Sequence, residues 1–171
     1  YLNQHNGFYS TYSYSSSNGQ SGSVNLDVLK PGNFLWIYTT APKSRTISNG
    51  SVIYIEDYSG IKNTVTKMSA SAYPYWDEPY VLLSRNNPSD WANYIITEEA
   101  YTDTTKIPKL KFTLTPLNTQ NRNVRAITIV FENTKPFDKN YISQFTSYYD
   151  NGAYVNYQRL SQEGRTDGSN G

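Results

Sequence analysis

The sequence lacks the side chains on which most catalytic and metal sites depend. It contains no cysteine and a single histidine, His5, among 171 residues. Thiolate zinc sites, cysteine nucleophiles, multi-histidine metal centres and disulfide frameworks are therefore excluded. A serine–histidine–aspartate triad could recruit only His5, and no nucleophile elbow accompanies it. The sequence thus predicts a protein that is not an enzyme, with no catalytic residues, no metal and no cofactor.

Charged residues are also scarce, and neither sign dominates. Asp, Glu, Lys and Arg make up 17% of the chain, against a usual share of about 25%. Fifteen basic and 14 acidic residues leave a net charge of +1, and they are scattered along the sequence. A basic footprint for nucleic acid or for an anionic membrane is therefore not expected. No apolar run reaches the ~18 residues of a membrane-spanning helix, so membrane insertion is not expected either.

Adjacent carboxylates occur in three pairs, but their spacing does not suit glycoside hydrolysis. Glycosidases need two facing carboxyl groups about 5 to 9.5 Å apart. Neighbours along a strand point to opposite faces of a sheet, so each pair indicates a solvated edge rather than a catalytic site. The pairs are Glu56–Asp57, Asp77–Glu78 and Glu98–Glu99.

Tyrosine is the residue that the chain has in abundance. There are 17 Tyr beside 6 Phe and 3 Trp, so aromatic residues make up 15% of the sequence. Tyrosine offers a rigid apolar ring with a polar tip, which suits the surface of a recognition module. Plain β-rich spacers of extracellular proteins have a similar composition. The composition therefore indicates an extracellular protein of one of these two kinds.

Apolar and polar residues alternate along many short segments, as they do in half-buried β-strands. In the clearest case Leu110, Phe112 and Leu114 alternate with polar neighbours and must face a core. Turn-forming residues bound each segment, and no window has a helical stripe. An all-β fold is predicted, an antiparallel β-sandwich with a barrel as the alternative. The predicted strands are 23–29, 34–38, 51–57, 61–68, 80–83, 94–97, 109–115, 124–131, 141–149 and 153–161.

The ends of the chain differ from its middle in composition. Residues 1–22 are polar and Ser-rich, which predicts a loose N-terminal tail or an edge strand. Residues 165–171 are typical of a linker. A chain of 171 residues is close to the ~150 of one domain. A single β-sandwich domain is therefore expected over residues 23–164.

Several short motifs stand in an order typical of one domain family. A Gly-Ser stretch in residues 16–28 leads into a short strand and Trp36, and Trp91 precedes the central strand. Residues 121–129 follow the pattern N-x-x-x-R-x-x-x-I, and residues 160–164 are similar to V-T-Q-x-G. In this order the motifs resemble the BACON-like immunoglobulin-type domains of Bacteroidetes or their phages.

That resemblance implies an immunoglobulin-like β-sandwich outside the cell, in a family without catalytic residues. Its members were proposed to bind carbohydrate, and in some enzymes they look like spacers. The stretch between Trp36 and Trp91 is longer than the family pattern. A large insertion is therefore expected in the region around 40–88.

The best candidate for a binding site lies in this insertion, between Ser71 and Tyr80. Flat aromatic faces suit the apolar side of a sugar ring, and carboxylates accept hydrogen bonds from its hydroxyls. Two prolines would hold the loop in shape at little entropic cost. Alternatively, Trp76 and Tyr80 plug an open end of the sandwich. The candidate glycan-binding residues are Tyr73, Tyr75, Trp76, Asp77, Glu78 and Tyr80.

Two functions are compatible with these observations. The first is a non-catalytic recognition module, carbohydrate-binding or adhesive, at the cell surface. The second is a structural module, either a spacer of a surface protein or a decoration or fibre domain of a phage virion. In that case the aromatic residues would contact neighbouring protein domains. Exposure of Trp76 would favour the first function, and burial the second.

Overall fold

Strands make up most of the structure, which is a computed structural model. It describes residues 7–40, 43–58, 60–75, 77–85, 88–117, 124–134 and 139–165. β-Branched and aromatic residues at period two suit such pleated, half-buried surfaces. The strands are β1 (Gly7–Ser16), β2 (Ser21–Leu29), β3 (Asn33–Tyr38), β4 (Ser44–Asn49), β5 (Val52–Asp57), β6 (Thr64–Ser69), β7 (Tyr94–Thr102), β8 (Pro108–Pro116), β9 (Val124–Thr134), β10 (Lys139–Tyr149) and β11 (Tyr154–Arg165). The helical elements are α1 (Pro79–Leu82) and two 3-10 turns, Ala70–Ala72 and Pro88–Trp91.

Hydrogen bonds join the strands in the order β6-β5-β4-β3-β2-β1-β11-β10-β9-β8-β7. Within each half of this order, neighbouring strands are antiparallel. The all-β, antiparallel prediction is confirmed. The immunoglobulin-like sandwich is not shown, because the described strands share one order instead of forming two separate sheets. Alternation along a strand reveals that one face is covered, but not whether a second sheet covers it.

The chain divides into two compact units. Unit 1 contains residues 1–13, 22–87 and 160–171, and unit 2 contains 14–21 and 88–159. The whole of strand β1 lies within the expected N-terminal tail or edge strand, and the expected insertion contains β4, β5, β6 and α1. His5 and residues 166–171, most of the expected linker, lie outside the described part of the chain. The proposed division into tail, domain and linker stays a prediction.

One face of β2 and β3 forms the core of unit 1. Apolar residues stand directly opposite one another on this face, and all but the half-buried Tyr38 are buried. The pairs are Val24–Tyr38, Leu26–Trp36 and Val28–Phe34. The turn between these strands contains Gly32 at a φ of 73°, where other residues are strained. A Cβ on Gly32 would also lie 3.3 Å from the Cα of Gly50, so the close approach of two turns requires glycine.

The apolar face of unit 2 runs across β8, β9 and β10. Leu114 pairs with Ile127, and both are buried, which confirms the core position predicted for Leu114. Phe112 lies on the same face and is half-buried. Its ring contacts that of Phe131 edge to face, with centroids 5.7 Å apart. Such contacts stabilise aromatic pairs beyond the area that they bury.

The opposite face of unit 2 carries a partly buried ion cluster. Glu132 lies 3.3 Å from Nζ of Lys109 and 3.1 Å from Nη2 of Arg159, and only 11% of its side chain is exposed. Lys109 also pairs with Asp103. The Lys109 hydrogen bond is the largest cause that lowers the pKa of Asp103 to about 2. The same hydrogen bond raises the pKa of Lys109. Register between β8 and β9 brings these charges together, because Lys109 stands opposite Glu132.

Replacing Glu132 by Gln should therefore destabilise the protein by about 2 kcal/mol, between the values for exposed and buried ion pairs. The variant removes the carboxylate that neutralises Lys109 and Arg159. Urea unfolding measures the loss. Glu99→Gln is the matched control, because Glu99 pairs with Lys111 at 3.7 Å with 65% of its side chain exposed. This control should cost less than about 0.5 kcal/mol, and equal losses in both variants would contradict the prediction.

Candidate functional site

The segment after β6 packs onto the apolar face of β3 within unit 1. The ring of Tyr80, in α1, lies with its centroid 5.2 Å from that of Phe34 and 5.0 Å from that of Trp36. Leu82 and Leu83 are fully buried beside it. The segment therefore covers the face that the alternation of β3 leaves apolar. The strand predicted over residues 80–83 is wrong, because a short apolar run fits a buried strand and a helical turn equally well.

Local hydrogen bonds explain why the chain turns here. Pro79 occupies the first position of α1, where its missing N–H is not needed. The amide of Leu82 donates to the carbonyl of Glu78 at 3.0 Å, which closes the helical turn. The carbonyl of Ser84 then accepts from the amide of Gly32 at 3.0 Å. This last bond ties the end of the segment to the β2–β3 turn.

Tyr73 and Tyr80 form the polar centre of this cluster. Their hydroxyl oxygens are 2.6 Å apart, and both side chains are buried. Burial, with a smaller contribution from the carboxylate of Glu78, raises the pKa of Tyr80 far above its usual value. The hydroxyl of Tyr80 consequently stays protonated at neutral pH, and one of the two hydroxyls donates to the other. We call Phe34, Trp36, Tyr73 and Tyr80 the aromatic cluster.

The residues predicted to form a glycan platform differ widely in exposure. Tyr73, Asp77 and Tyr80 are buried, whereas Tyr75 is 46% exposed and Glu78 is half-buried. The structure brings Tyr75 next to Tyr73, with ring centroids 5.3 Å apart. Trp76, whose exposure was expected to separate the two functions, lies outside the described residues.

Lys30, in the β2–β3 turn, is a buried basic residue near the same end of unit 1. Only 9% of it is exposed. Burial disfavours the charged ammonium and lowers the pKa of Lys30 to about 8. Protonation of Lys30 therefore disfavours the folded state.

A second apolar surface lies on the edge of unit 2, where β7 pairs with β8. Ile96 stands opposite Leu114 and is 44% exposed, and Ala100, also exposed, stands opposite the half-buried Leu110. Phe112 lies between these pairs, and the exposed Glu98 stands opposite it on the same face. This surface continues the buried apolar face of unit 2 into solvent. We call Ile96, Ala100, Leu110 and Phe112 the open apolar patch.

Sequence reasoning missed the open apolar patch, although it predicted residues 94–97 of β7 and most of β8 as strands. The available signal was the pair Ile95–Ile96, which breaks the alternation of β7 by placing an apolar residue on each face. Ile95, opposite Thr115, is 56% exposed. An edge strand with apolar residues on both faces indicates a surface meant to be covered.

Metal-binding clusters and membrane-spanning helices are absent from the described ranges. No group of three or more His, Cys, Asp or Glu side chains there is arranged to hold a metal ion. Likewise, no helix in this part of the chain has the length and apolar character needed to cross a membrane.

The sequence profile of the family described as "Outer membrane lipoprotein carrier protein LolA" matches residues 8–163. This match covers most of the chain. The protein belongs to the LolA family. Curated relatives named outer-membrane lipoprotein carrier protein agree with this assignment. That of Proteus mirabilis is 25% identical over 167 residues, which are 95% of this chain and 74% of the relative. That of Edwardsiella ictaluri is 26% identical over 133 residues, 75% of this chain and 59% of the relative.

Solved structures give weaker likenesses. A DUF1329 family protein from Desulfovibrio piger has a TM-score of 0.47 at 12% identity, covering 98% of this chain and 88% of that one. A LolA superfamily protein from Nitrosomonas europaea has a TM-score of 0.39 at 8% identity, covering 95% and 87%. The assignment to the LolA family therefore rests on the sequence match.

The LolA assignment corrects several expectations. The resemblance to BACON-like domains is wrong, because its motifs are short and separate whereas the LolA match is continuous over residues 8–163. The carbohydrate-binding, adhesive and phage-decoration functions are wrong with it, and so is the glycan partner. The expected location outside the cytoplasm agrees with the LolA family, but the expected locations at the cell surface and on a virion do not.

Tyr80→Ala should cost about 3 to 5 kcal/mol of folding free energy, because it opens a cavity between α1 and β3. Tyr75→Ala, which removes a ring that is 46% exposed, should cost less than about 1 kcal/mol. Chemical denaturation of both variants measures the difference. Tyr80→Phe is a further control that keeps the ring and removes only its hydroxyl bond to Tyr73. Similar costs for Tyr75→Ala and Tyr80→Ala would show that the cluster does not hold the segment on β3.

Lys30 predicts a pH dependence of stability. Its pKa is about 8 in the folded protein and 10.5 in a free lysine, so the unfolded chain binds more protons between these values. The free energy of unfolding should therefore rise as the pH is raised from 8 towards 10, by up to roughly 3 kcal/mol at completion. Lys30→Met should stabilise the protein at pH 7 and flatten this rise. Denaturation at pH 7 to 9.5 tests it, with Lys43→Met, a substitution of an exposed lysine, as the control.

Proposed function

We propose that this protein is a non-enzymatic carrier of lipid-modified proteins that shields their acyl chains from water. Membership of the LolA family and the names of its curated relatives support this class of cargo. The open apolar patch is the observation that carries the proposal. We further propose that the protein acts between the two membranes of a bacterial envelope, where an outer-membrane lipoprotein carrier would be needed.

Acyl chains bind through apolar surface and need few directional contacts. Each methylene group removed from water contributes about 0.8 kcal/mol, without directional contacts. The open apolar patch offers Ile96, Leu110 and Phe112 on one face, next to the buried Leu114, with the exposed Glu98 of edge strand β7 opposite Phe112. Since these residues are already partly exposed, an acyl chain laid across them would bury apolar area on both partners. Polar groups are needed only where the protein part of the cargo begins.

The aromatic cluster of unit 1 is less suited to this task. Tyr80 already covers Phe34 and Trp36, and its hydroxyl is bonded to Tyr73. A ligand there would have to displace α1 and leave buried hydroxyls without their partners, which is costly. We therefore assign the first acyl contact to the patch on β7 and β8.

The carrier function predicts that Ile96→Glu weakens acyl binding by about tenfold or more, equivalent to ~1.4 kcal/mol or more. A carboxylate at this position would have to be desolvated under the acyl chain. Binding of a fluorescent long-chain fatty acid and of a synthetic peptide with an N-terminal diacylglyceryl cysteine would be measured by titration. Both ligands carry the same acyl chemistry, and only the peptide represents the cargo.

Ile95→Glu is the matched control for this experiment. Ile95 is the neighbour of Ile96 on the same edge strand, is similarly exposed, and lies on the opposite face. Ile95→Glu thus introduces the same charge at the adjacent residue, on the face that does not carry the patch. Equal affinities of the two variants would refute the assignment to this face, and a wild-type protein that binds neither ligand would refute the carrier function.

A further inference from the structure

The turn between β5 and β6 exposes an apolar side chain completely. Ile61 has a relative accessibility of 106%, so its side chain contacts nothing else in the described protein. Tyr58, before the turn, is 41% exposed, and Val65, early in β6, is 64% exposed. Nothing in the fold of unit 1 requires apolar residues here, because turns at a protein surface are normally polar.

Strand register places a basic residue beside this turn. Ser44 stands opposite Asp57, and Asp57 stands opposite Thr64, so β4 begins where the β5–β6 turn lies. The amide of Tyr58 donates to the carbonyl of Lys43 at 3.1 Å. Lys62 follows Ile61 directly in the turn. We call Lys43, Tyr58, Ile61 and Lys62 the hairpin tip.

The hairpin tip has an excess of positive charge. Lys43 and Lys62 are exposed and form no ion pair with another described residue. Arg45 is neutralised by Glu56 at 2.6 Å, and the hydroxyl of Tyr58 donates to the same carboxylate. Residues 43–69 contain four basic and two acidic side chains, a net charge of +2. At the tip itself Lys43 and Lys62 lie near Asp57, where β5 ends, so two cations stand against one carboxylate once Arg45 and Glu56 have paired.

An aliphatic side chain, a tyrosine and lysines form the combination found at membrane surfaces. Aliphatic groups enter the region between headgroups, tyrosine rings lie at headgroup level, and lysines meet anionic phosphates. The alternative of a protein partner fits less well. A stable protein interface buries about 800 Å² on each side, whereas the tip offers one aliphatic and one aromatic side chain.

We propose that the hairpin tip docks this protein on the surface of an anionic lipid bilayer, with Ile61 inserted between the headgroups. The inference deepens the proposed function and rests on it for its purpose, because docking would bring a carrier of lipid-modified proteins to the membrane surface. It departs from the expectation that net charge excludes an anionic membrane partner. Contact is peripheral, through one turn of the chain.

Vesicle flotation of the full chain tests the proposal. The probes are vesicles of phosphatidylcholine alone and of phosphatidylcholine with phosphatidylglycerol, at low and high salt. The wild-type protein should float with the anionic vesicles, and high salt should reduce the bound fraction several-fold. Ile61→Glu should lower the bound fraction at least fivefold. Leu29→Glu is the matched control, because Leu29 is a half-exposed aliphatic residue at the opposite end of the strands of unit 1, and it should float like the wild type.

A labelled variant provides a second measurement of insertion. The chain has no cysteine, so Ile61→Cys and Leu29→Cys each give one attachment site for an environment-sensitive dye. The dye at position 61 should shift its emission to shorter wavelength with anionic vesicles, and the dye at position 29 should not.

The outcomes separate this proposal from the carrier function. Failure of the wild type to float, or flotation of Ile61→Glu at the wild-type level, overturns membrane docking, as does an unshifted dye at position 61. Acyl-probe binding is measured on the same proteins. Acyl binding without vesicle docking overturns the inference alone, and vesicle docking without acyl binding overturns the carrier function alone.

Discussion

Strands β2, β3 and β8 each have one apolar face, and the need to cover that face governs the remaining features. In unit 1 the need is met locally, because α1 places Tyr80 on Phe34 and Trp36 and the segment that follows is tied back to Gly32. In unit 2 the face is covered over β9 and left open towards the edge, where Ile96 is accessible. The same alternation thus produces a closed core in one unit and an available surface in the other.

Much of the strand pattern was predictable from the sequence, and the covering of the strands was not. Leu114 is buried as its alternation requires, and the segments around it are strands. Residues 80–83 form a helical turn because burial of Tyr80 against β3 outweighs the strand preference of a short apolar run. Whether the strands form a sandwich was not predictable for a similar reason. The alternation shows that one face of a strand is covered, but not which element covers it. Trp36 and Trp91, used to assign a family, are aromatic residues of a kind common in many β-rich domains.

The candidate sites were predictable only in part, because charge and exposure depend on register. Lys109 and Glu132 are far apart in sequence and stand opposite each other only once β8 and β9 pair. The composition of the segment Tyr73 to Tyr80 predicted a binding site. In the structure Tyr73 and Tyr80 are instead packed on β3 or on each other. Ile61 left almost no trace in composition. Ile61 is a candidate for membrane contact only because it lies in a turn, beside Lys62 and close to Lys43.

Strand β7 ends the order of strands, so its outer row of backbone N–H and C=O groups pairs with no described strand. Such an edge is a template on which a second copy could polymerise. Glu98 and Glu99, both exposed in the middle of β7, place a carboxylate on each face of this edge. Two copies approaching edge to edge would bring like charges together. The edge strand that carries the exposed Ile96 thereby has its own protection against fibre growth.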